Sequence, residues 1–331
     1  MKNSAMIVFI LFVFCLHVHV SPVYSKEHIP DNIYEVRSGD TLPGIANQYE
    51  TTVEELVLTN GLQSHTLVVG QKLYVPFIYE VTSGDSLDKI SAANHSSPWL
   101  IKTVNGLSSP ELYLGQKLKI PPKRMNMQGQ YILMDRGEFQ DWLFNQKFTR
   151  NISLIQEHHT WLPSYKQFYG TNHFHMLKSM ENFHVKEMKW KTIAQNLTTF
   201  PDGTIAVSRP FDIAPEGTIG PKANAAGITI ENVGNFDLGH DVMTEAQKET
   251  IVTVAALLCI KFGLTPSVDS ITYHHWWDLR TKERVLDNGP DYNVKTCPGT
   301  GFFGGNSTAS AKNNFYPLVV QKMKEISATM H

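Results

Sequence analysis

Cysteine is scarce in this chain: three residues in 331, one of which, Cys15, sits in an apolar N-terminal run. The other two, Cys259 and Cys297, are too few to staple a scaffold, so a disulfide-built fold is excluded. Charge of one sign is lacking as well. Lys and Arg total 29 against 31 Asp and Glu, a formal net charge of −2, and nothing in that balance points to nucleic acid or to strong membrane adhesion. Long apolar runs are missing too. The one concentrated stretch, residues 5–16, is too short for a comfortable bilayer span. With Lys2 before it and Val23-Tyr24-Ser25 after it, it predicts a secretory signal peptide over residues 1–25, leaving no stable membrane anchor after cleavage. The remainder, in a chain that is 42% hydrophobic and 18% charged, has the composition of an ordinary folded protein with room for two or three domains.

An internal repeat comes first. Residues 34–76 and 79–121 align with a constant offset of 45 and no insertion, and 18 of the 43 aligned positions are identical. Tyr34-Glu-Val36 returns as Tyr79-Glu-Val81, Ser38-Gly-Asp40 as Ser83-Gly-Asp85, and Asn60-Gly-Leu62 as Asn105-Gly-Leu107. Gly70-Gln-Lys-Leu73 returns as Gly115-Gln-Lys-Leu118, and Pro76 as Pro121. Each copy predicts a strand at both ends and helix between, with Ser38-Gly-Asp-Thr41 supplying a turn and a helix cap. This βααβ unit resembles the LysM module, over residues 33–76 and 78–121. The resemblance implies binding of N-acetylglucosamine-containing glycans such as peptidoglycan or chitin. Two modules in series would raise the local concentration of whatever follows them on a polymer. Residues 122–130, opening Pro122-Lys-Arg, predict a linker that is stiff at its proline end.

From Tyr131 to the C-terminus the pattern is mixed α/β: a helix over 138–145, strands over 152–157, 193–200, 227–233 and 270–273, and a helix over 244–262. That alternation predicts one central sheet flanked by helices. Thr244 and Gln247 predict a capping box and Gly263 a helix stop, which makes Cys259 a small core residue. Two histidine pairs stand out. His158-His159 and His274-His275 each close a short run that predicts a buried strand, and Cys297 lies in Lys295-Thr-Cys-Pro-Gly299. Two imidazoles and a thiolate make three of zinc's four ligands, with the fourth position open to water, the arrangement of a catalytic rather than a structural site. Taken singly, each of these residues is more often a hydrogen-bonded histidine or a core thiol.

Five ordered blocks carry a second resemblance: Gln156-Glu-His-His-Thr-Trp161, Phe200-Pro-Asp-Gly-Thr-Ile205, the segment from Gly227 to Phe236, Tyr273-His-His275 and Lys295-Thr-Cys-Pro-Gly299. Over roughly residues 148–325, within an expected domain spanning 131–331, the chain is similar to the zinc-dependent N-acetylmuramoyl-L-alanine amidases that share a fold with peptidoglycan recognition proteins. The resemblance implies a secreted, wall-associated hydrolase that cuts the amide between muramic acid and the L-alanine of the stem peptide. It implies Zn2+ as cofactor and His158, His274 and Cys297 as metal ligands. His159 and His275 are then neighbours pointing to the other face, since successive strand residues alternate.

Glu231, an acidic residue in an otherwise apolar strand, is the expected general base, with a structural carboxylate paired to an arginine as its alternative. Lys295 is the expected stabiliser of the oxyanion. Some family members carry a catalytic tyrosine where this chain has Gln195, so the proton chemistry is expected at Glu231. Trp161, Trp276 and Trp277 flank the histidines, either as groove walls or as core. Two other readings compete: a non-catalytic recognition protein of the same fold, and a cysteine peptidase using Cys297.

Overall fold

The structure is a computed structural model that describes residues 31–217, 219–288 and 294–329; the expected signal peptide, residues 1–25, lies outside them. Among the described residues no helix is long and apolar enough to cross a membrane.

The first repeat runs β1 (Ile33–Glu35), α1 (Leu42–Gln48), α2 (Val53–Asn60) and β2 (Lys72–Tyr74), with β1 and β2 antiparallel. The second runs β3 (Phe77–Glu80), α3 (Leu87–Ala93), α4 (Pro98–Val104) and β4 (Lys117–Ile120), again closed by an antiparallel pair. All four helices begin at a hydroxyl that accepts a backbone N–H: Thr41, Thr52, Ser86 and Ser97. The recurring Ser-Gly-Asp block has a structural cause. Asp40 accepts from Tyr34 Oη and from the Arg37 N–H, each at 2.7 Å, and Asp85 accepts from Tyr79 Oη at 2.9 Å and the Thr82 N–H at 2.7 Å. One carboxylate thereby fixes the turn between strand and helix in each copy. Leu42, Ile45, Leu56 and Leu73 fill the first core, and Leu87, Ile90, Ile101 and Leu118, the residues 45 positions on, fill the second.

The C-terminal domain adds β5 (Asn126–Gln128), β6 (Tyr131–Met134), α5 (Arg136–Asn145), β7 (Leu154–His159), α6 (His173–Lys186), β8 (Leu197–Thr199) and β9 (Ile205–Val207). It continues with α7 (Pro221–Ala226), β10 (Gly227–Asn232), α8 (Glu245–Phe262) and β11 (Ile271–Tyr273), and ends with α9 (Thr308–Ser310), a π turn (Ala311–Phe315) and α10 (Tyr316–Thr329). Seven strands form one mixed sheet in the order β11-β7-β10-β8-β9-β6-β5; the first four are parallel, the rest antiparallel. The stretch expected as a linker therefore supplies an edge strand. Met127 pairs with Ile132 across β5 and β6, and a three-residue partner was enough to extend the sheet. The strand expected over 193–200 is confined to Leu197–Thr199, although just before it the Asn196 N–H still donates to the Thr229 carbonyl and the Asn196 carbonyl accepts from the Ser208 N–H.

Side chains alternate across this sheet. Ile155, Ile228, Ile230, Ile271 and Tyr273 face α8 in the main core. The opposite face is covered on its antiparallel side by α6, whose Met176, Leu177 and Met180 pack on Tyr131, Leu133 and Ala206. Helix α8 is buried from Thr250 to Cys259, because the sheet lies on one side of it and α5 and α10 on others. It is thus covered on nearly every side along that stretch. Thr244 does cap it, accepting from the Gln247 N–H at 3.1 Å, but the capping box is half made. The Gln247 side chain turns inward and donates to the Thr199 and Val233 carbonyls at 3.2 and 3.0 Å, while the Thr244 N–H goes to Tyr165 Oη at 3.0 Å. Gln247 therefore clamps the ends of β8 and β10 to α8. Replacing it with the similarly shaped methionine, Gln247→Met, takes the donor from the Val233 carbonyl in the core, while the Thr199 carbonyl keeps the Val233 N–H. A urea titration should show a loss of about 1–3 kcal/mol at unchanged slope.

Candidate metal centre

The register of three neighbouring strands places the chemistry. Glu231 of β10 lies opposite His158 of β7, and Tyr273 of β11 lies opposite Glu157. His274, directly after Tyr273, therefore reaches the level of His158. Since Ile230, Glu157 and Tyr273 point toward α8, the next residues Glu231, His158 and His274 point away from it. They form one row across the carboxyl ends of parallel strands. His158 and His274 have ring centroids 4.8 Å apart. Cys297 arrives from a loop with its Sγ 3.5 Å from His158 Nδ1. One ligand atom from each of His158, His274 and Cys297 lies within 4.8 Å of the others, and all three residues are buried.

For His275 the alternation argument does not apply. β11 stops at Tyr273, and residues His274–Trp276 form a 3-10 turn. His275 is instead turned toward the cysteine loop: its N–H donates to the Cys297 carbonyl at 2.7 Å and its Nδ1 lies 2.6 Å from the Lys295 carbonyl. His159 points into the α8 side, where its Nδ1 accepts from the Phe236 N–H at 3.1 Å, and its own N–H faces Cys297 Sγ at 3.4 Å. Both second histidines therefore brace the loop that carries the cysteine.

That loop is braced a third way, by a residue the sequence did not single out. Asp237 accepts from the Thr296 hydroxyl and from the Thr300 N–H, each at 3.0 Å, and the Gly301 N–H donates to the Phe236 carbonyl at 2.8 Å. Gly299 has φ +119°, and a Cβ there would stand 2.5 Å from the Phe236 carbonyl carbon and oxygen; only glycine lets the two loops meet so closely. Partners some 60 residues apart leave no local signal in the sequence, which is why Asp237 went unmarked.

Burial dominates the electrostatics. It pushes the His158 imidazole down to about 3, with Lys295 and His159 adding to the effect, and holds His274 well below its ordinary value. Both rings are therefore neutral at pH 7, the form that offers a lone pair. Burial also drives the Cys297 thiol well above its usual range, and the Glu231 carboxylate adds to that rise. Glu231 itself is pushed up to about 8 by burial, against the pull of the Lys295 ammonium. No arginine pairs with Glu231 among the described residues; the cation acting on it is exposed Lys295.

The donor set suits a soft-to-borderline divalent metal. His158 Nε2 and His274 Nε2 are buried without a hydrogen-bond partner, a costly condition unless something else binds the rings. Two neutral imidazoles and one thiolate, formed as the cysteine gives up its proton on metal binding, are the ligand types zinc takes, and they leave a coordination position open. Of the three tryptophans, Trp276 is fully buried, Trp277 is partly buried with its N–H on Thr272, and Trp161 is 60% exposed. Only Trp161 is available to a ligand. Gln195 lies buried, donating to Thr198 Oγ1 at 3.0 Å. Cys259 sits in α8 with its thiol pushed by burial to about 12. A separate cleft of about 720 Å³ reaches Phe236–Leu238 from the other side of the loop and contains none of the three clustered residues.

Comparison with known proteins identifies the domains. Residues 34–76 and 79–121 match the LysM domain, and residues 148–300 match the family described as N-acetylmuramoyl-L-alanine amidase. The chain carries two LysM domains followed by an amidase domain of this family. A curated relative, N-acetylmuramoyl-L-alanine amidase sle1 of Staphylococcus saprophyticus, is 50% identical over 42 residues, 13% of this chain and 13% of that protein. The match thus spans only a small part of that relative's length. Among solved structures, the endolysin N-acetylmuramoyl-L-alanine amidase LysCS from Clostridium intestinale is 22% identical, covering 46% of this chain and 78% of that one at a TM-score of 0.34. Drosophila PGRP-LB is 20% identical, covering 51% and 84% at 0.37.

The bracing of the cysteine loop in the amidase domain is open to test. His275→Ala removes the ring contact with the Lys295 carbonyl but keeps the backbone bond to Cys297. With zinc as the probe and a chelator as competitor, metal retention should fall 10- to 100-fold, the range for residues that orient ligands. An unchanged affinity would make His275 a bystander.

Proposed function

We propose that this protein is a secreted, zinc-dependent N-acetylmuramoyl-L-alanine amidase of the cell wall, with LysM modules that engage N-acetylglucosamine-containing glycan. It would hydrolyse the amide between the lactyl group of muramic acid and the L-alanine of the stem peptide. The observation that carries this reading is the row Glu231–His158–His274, completed by Cys297: a three-donor metal site with a carboxylate beside it. Secretion rests on the N-terminal sequence, residues 1–25.

In this reading His158, His274 and Cys297 hold Zn2+, which when bound lowers the pKa of water and polarises the scissile carbonyl. Glu231 then takes the proton from the attacking water and hands it to the departing alanine nitrogen. Burial alone holds Glu231 largely as the acid at neutral pH; beside a bound dication as well as the Lys295 ammonium its carboxylate form would be favoured, the form that takes a proton. Lys295, whose charge is felt by His158, His274, Cys297 and Glu231 alike, would face the negative charge that develops on the carbonyl oxygen. Trp161 offers an exposed aromatic surface beside the same strand end. Gln195 takes no part in proton transfer, because an amide has no labile proton to shuttle.

Burial speaks against the peptidase alternative. Cys297 is 4% exposed with a thiol pushed well above its ordinary range, the opposite of an activated nucleophile. The recognition-only alternative is separated by activity. Digesting purified peptidoglycan should free N-terminal alanine and no reducing sugar, stop with a chelator and resume with zinc. Activity that survives chelation but yields to a thiol reagent would overturn the proposal, as would tight binding with no cleavage. Glu231→Gln should lower kcat 10²- to 10⁴-fold with zinc content unchanged; full activity in that variant would remove Glu231 from the mechanism.

A further inference from the structure

The two LysM repeats are nearly one module in two surroundings, so positions 45 apart can be compared directly. Gly61 (φ +56°) and Gly106 (φ +61°) both follow the second helix of their repeat in the left-handed region. A Cβ on Gly61 would meet Met125 Sδ at 2.9 Å and Ile132 Cδ1 and Trp142 Cδ1 at 3.2 Å; on Gly106 it would meet nothing within 4 Å. Gln71 and Gln116 each accept a backbone N–H within their repeat, from Val68 at 3.2 Å and Tyr113 at 3.1 Å. Gln71 also donates to Gln146 Oε1 of the amidase domain at 2.9 Å. Three more bonds follow the same surface: Gln146 Nε2 to the Asn60 carbonyl, Trp142 Nε1 to the Gly61 carbonyl and the Met125 N–H to the Leu58 carbonyl. Thr59, Asn60 and Gly61 are buried in consequence, while Val104 and Gly106 are exposed.

The second repeat touches the rest of the chain elsewhere. His95 stacks near Tyr74, with ring centroids 4.9 Å apart, and lies 3.6 Å from Asp141. It leaves Trp99, Tyr113 and Leu114 71%, 69% and 74% exposed, where the first repeat has Glu54, Val68 and Val69. Flat, amphipathic aromatic rings suit a partner that is apolar on one side and wet on the other, as a sugar ring is.

We infer that the two repeats have divided the work: the first is a fixed structural part of the amidase body, and the second is the glycan reader. The reader half rests on the proposed LysM ligand; the docking half does not. Matched variants in the full chain test them separately. Gln71→Ala should lower the melting temperature of the amidase transition by roughly 5 °C more than Gln116→Ala, and Gly61→Leu should do the same relative to Gly106→Leu. Equal shifts within each pair, or a first repeat that melts apart from the amidase domain, would overturn the docking. For the reader, chitohexaose is the probe. Trp99→Ala with Tyr113→Ala should weaken binding at least tenfold, and Glu54→Ala with Val68→Ala should leave it unchanged. The reverse pattern, or equal loss in both, overturns the division. No chitohexaose binding by the unaltered chain would overturn the reader half together with its ligand, while the melting pairs still decide the docking.

Discussion

The pairing register of β10, β7 and β11 is the constraint on which the site depends. In a parallel ladder one residue of slip moves every side chain to the opposite face. With Glu231 opposite His158 and Tyr273 opposite Glu157, the carboxylate and the two imidazoles fall on one row of one face. A slip of β11 by a single residue would send His274 toward α8 and leave the row with one imidazole. The apolar residues on the other face hold that register, because Ile155, Ile230 and Ile271 must all reach the same core. Core packing on one side of the sheet is thus what aligns the polar groups on the other.

Both faces of these strands nevertheless carry polar groups, and the α8 side had to accommodate them. Glu157 points into the core with one oxygen accepting from Asn232 Nδ2 at 2.8 Å and the other unpartnered. Burial raises its carboxyl to about 8, so at neutral pH it is held largely as the acid, which removes most of the cost of keeping a charge there. Asn232 completes a bridge, donating also to the His158 carbonyl and accepting from Thr199 Oγ1. The inward Gln247 continues it to α8. The polar strand ends are therefore knitted to the helix behind them.

Much of this was legible in the sequence, and the parts that were not share a cause. The repeat, the capped helices and the strands bearing His158 and Glu231 follow from local pattern, since periodicity and caps are properties of neighbouring residues. The three clustered residues were legible only through resemblance to a family, because nothing in the spacing of His158, His274 and Cys297 fixes which of each histidine pair faces inward. Helix α6, which was missed, is the exception: its buried residues His173, Met176, Leu177 and Met180 stand at i, i+3, i+4 and i+7, a helix face that local pattern does carry. Asp237, the short edge strand β5 and the inward turn of Gln247 are tertiary outcomes. Each depends on a partner brought from far along the chain, and in the last case a carbonyl in the core outcompeted the local cap that Thr244 and Gln247 would otherwise complete.

The missed strand β5 changes how the modules relate to the catalytic domain. A flexible tether raises local concentration while letting the enzyme sample many orientations. Here residues 126–128 are paired into the amidase sheet, and the Met125 N–H just before them bonds back to Leu58 of the first repeat. The chain between module and enzyme is therefore part of the fold on both sides, with no slack at that point. Fixing the repeat against Trp142 and Gln146 gives up orientational freedom and gains a defined direction from the repeat to the row of Glu231, His158 and His274. Under the proposed function, that direction would select which bond of a repeating polymer arrives at the row, and engagement and cleavage would share one geometry.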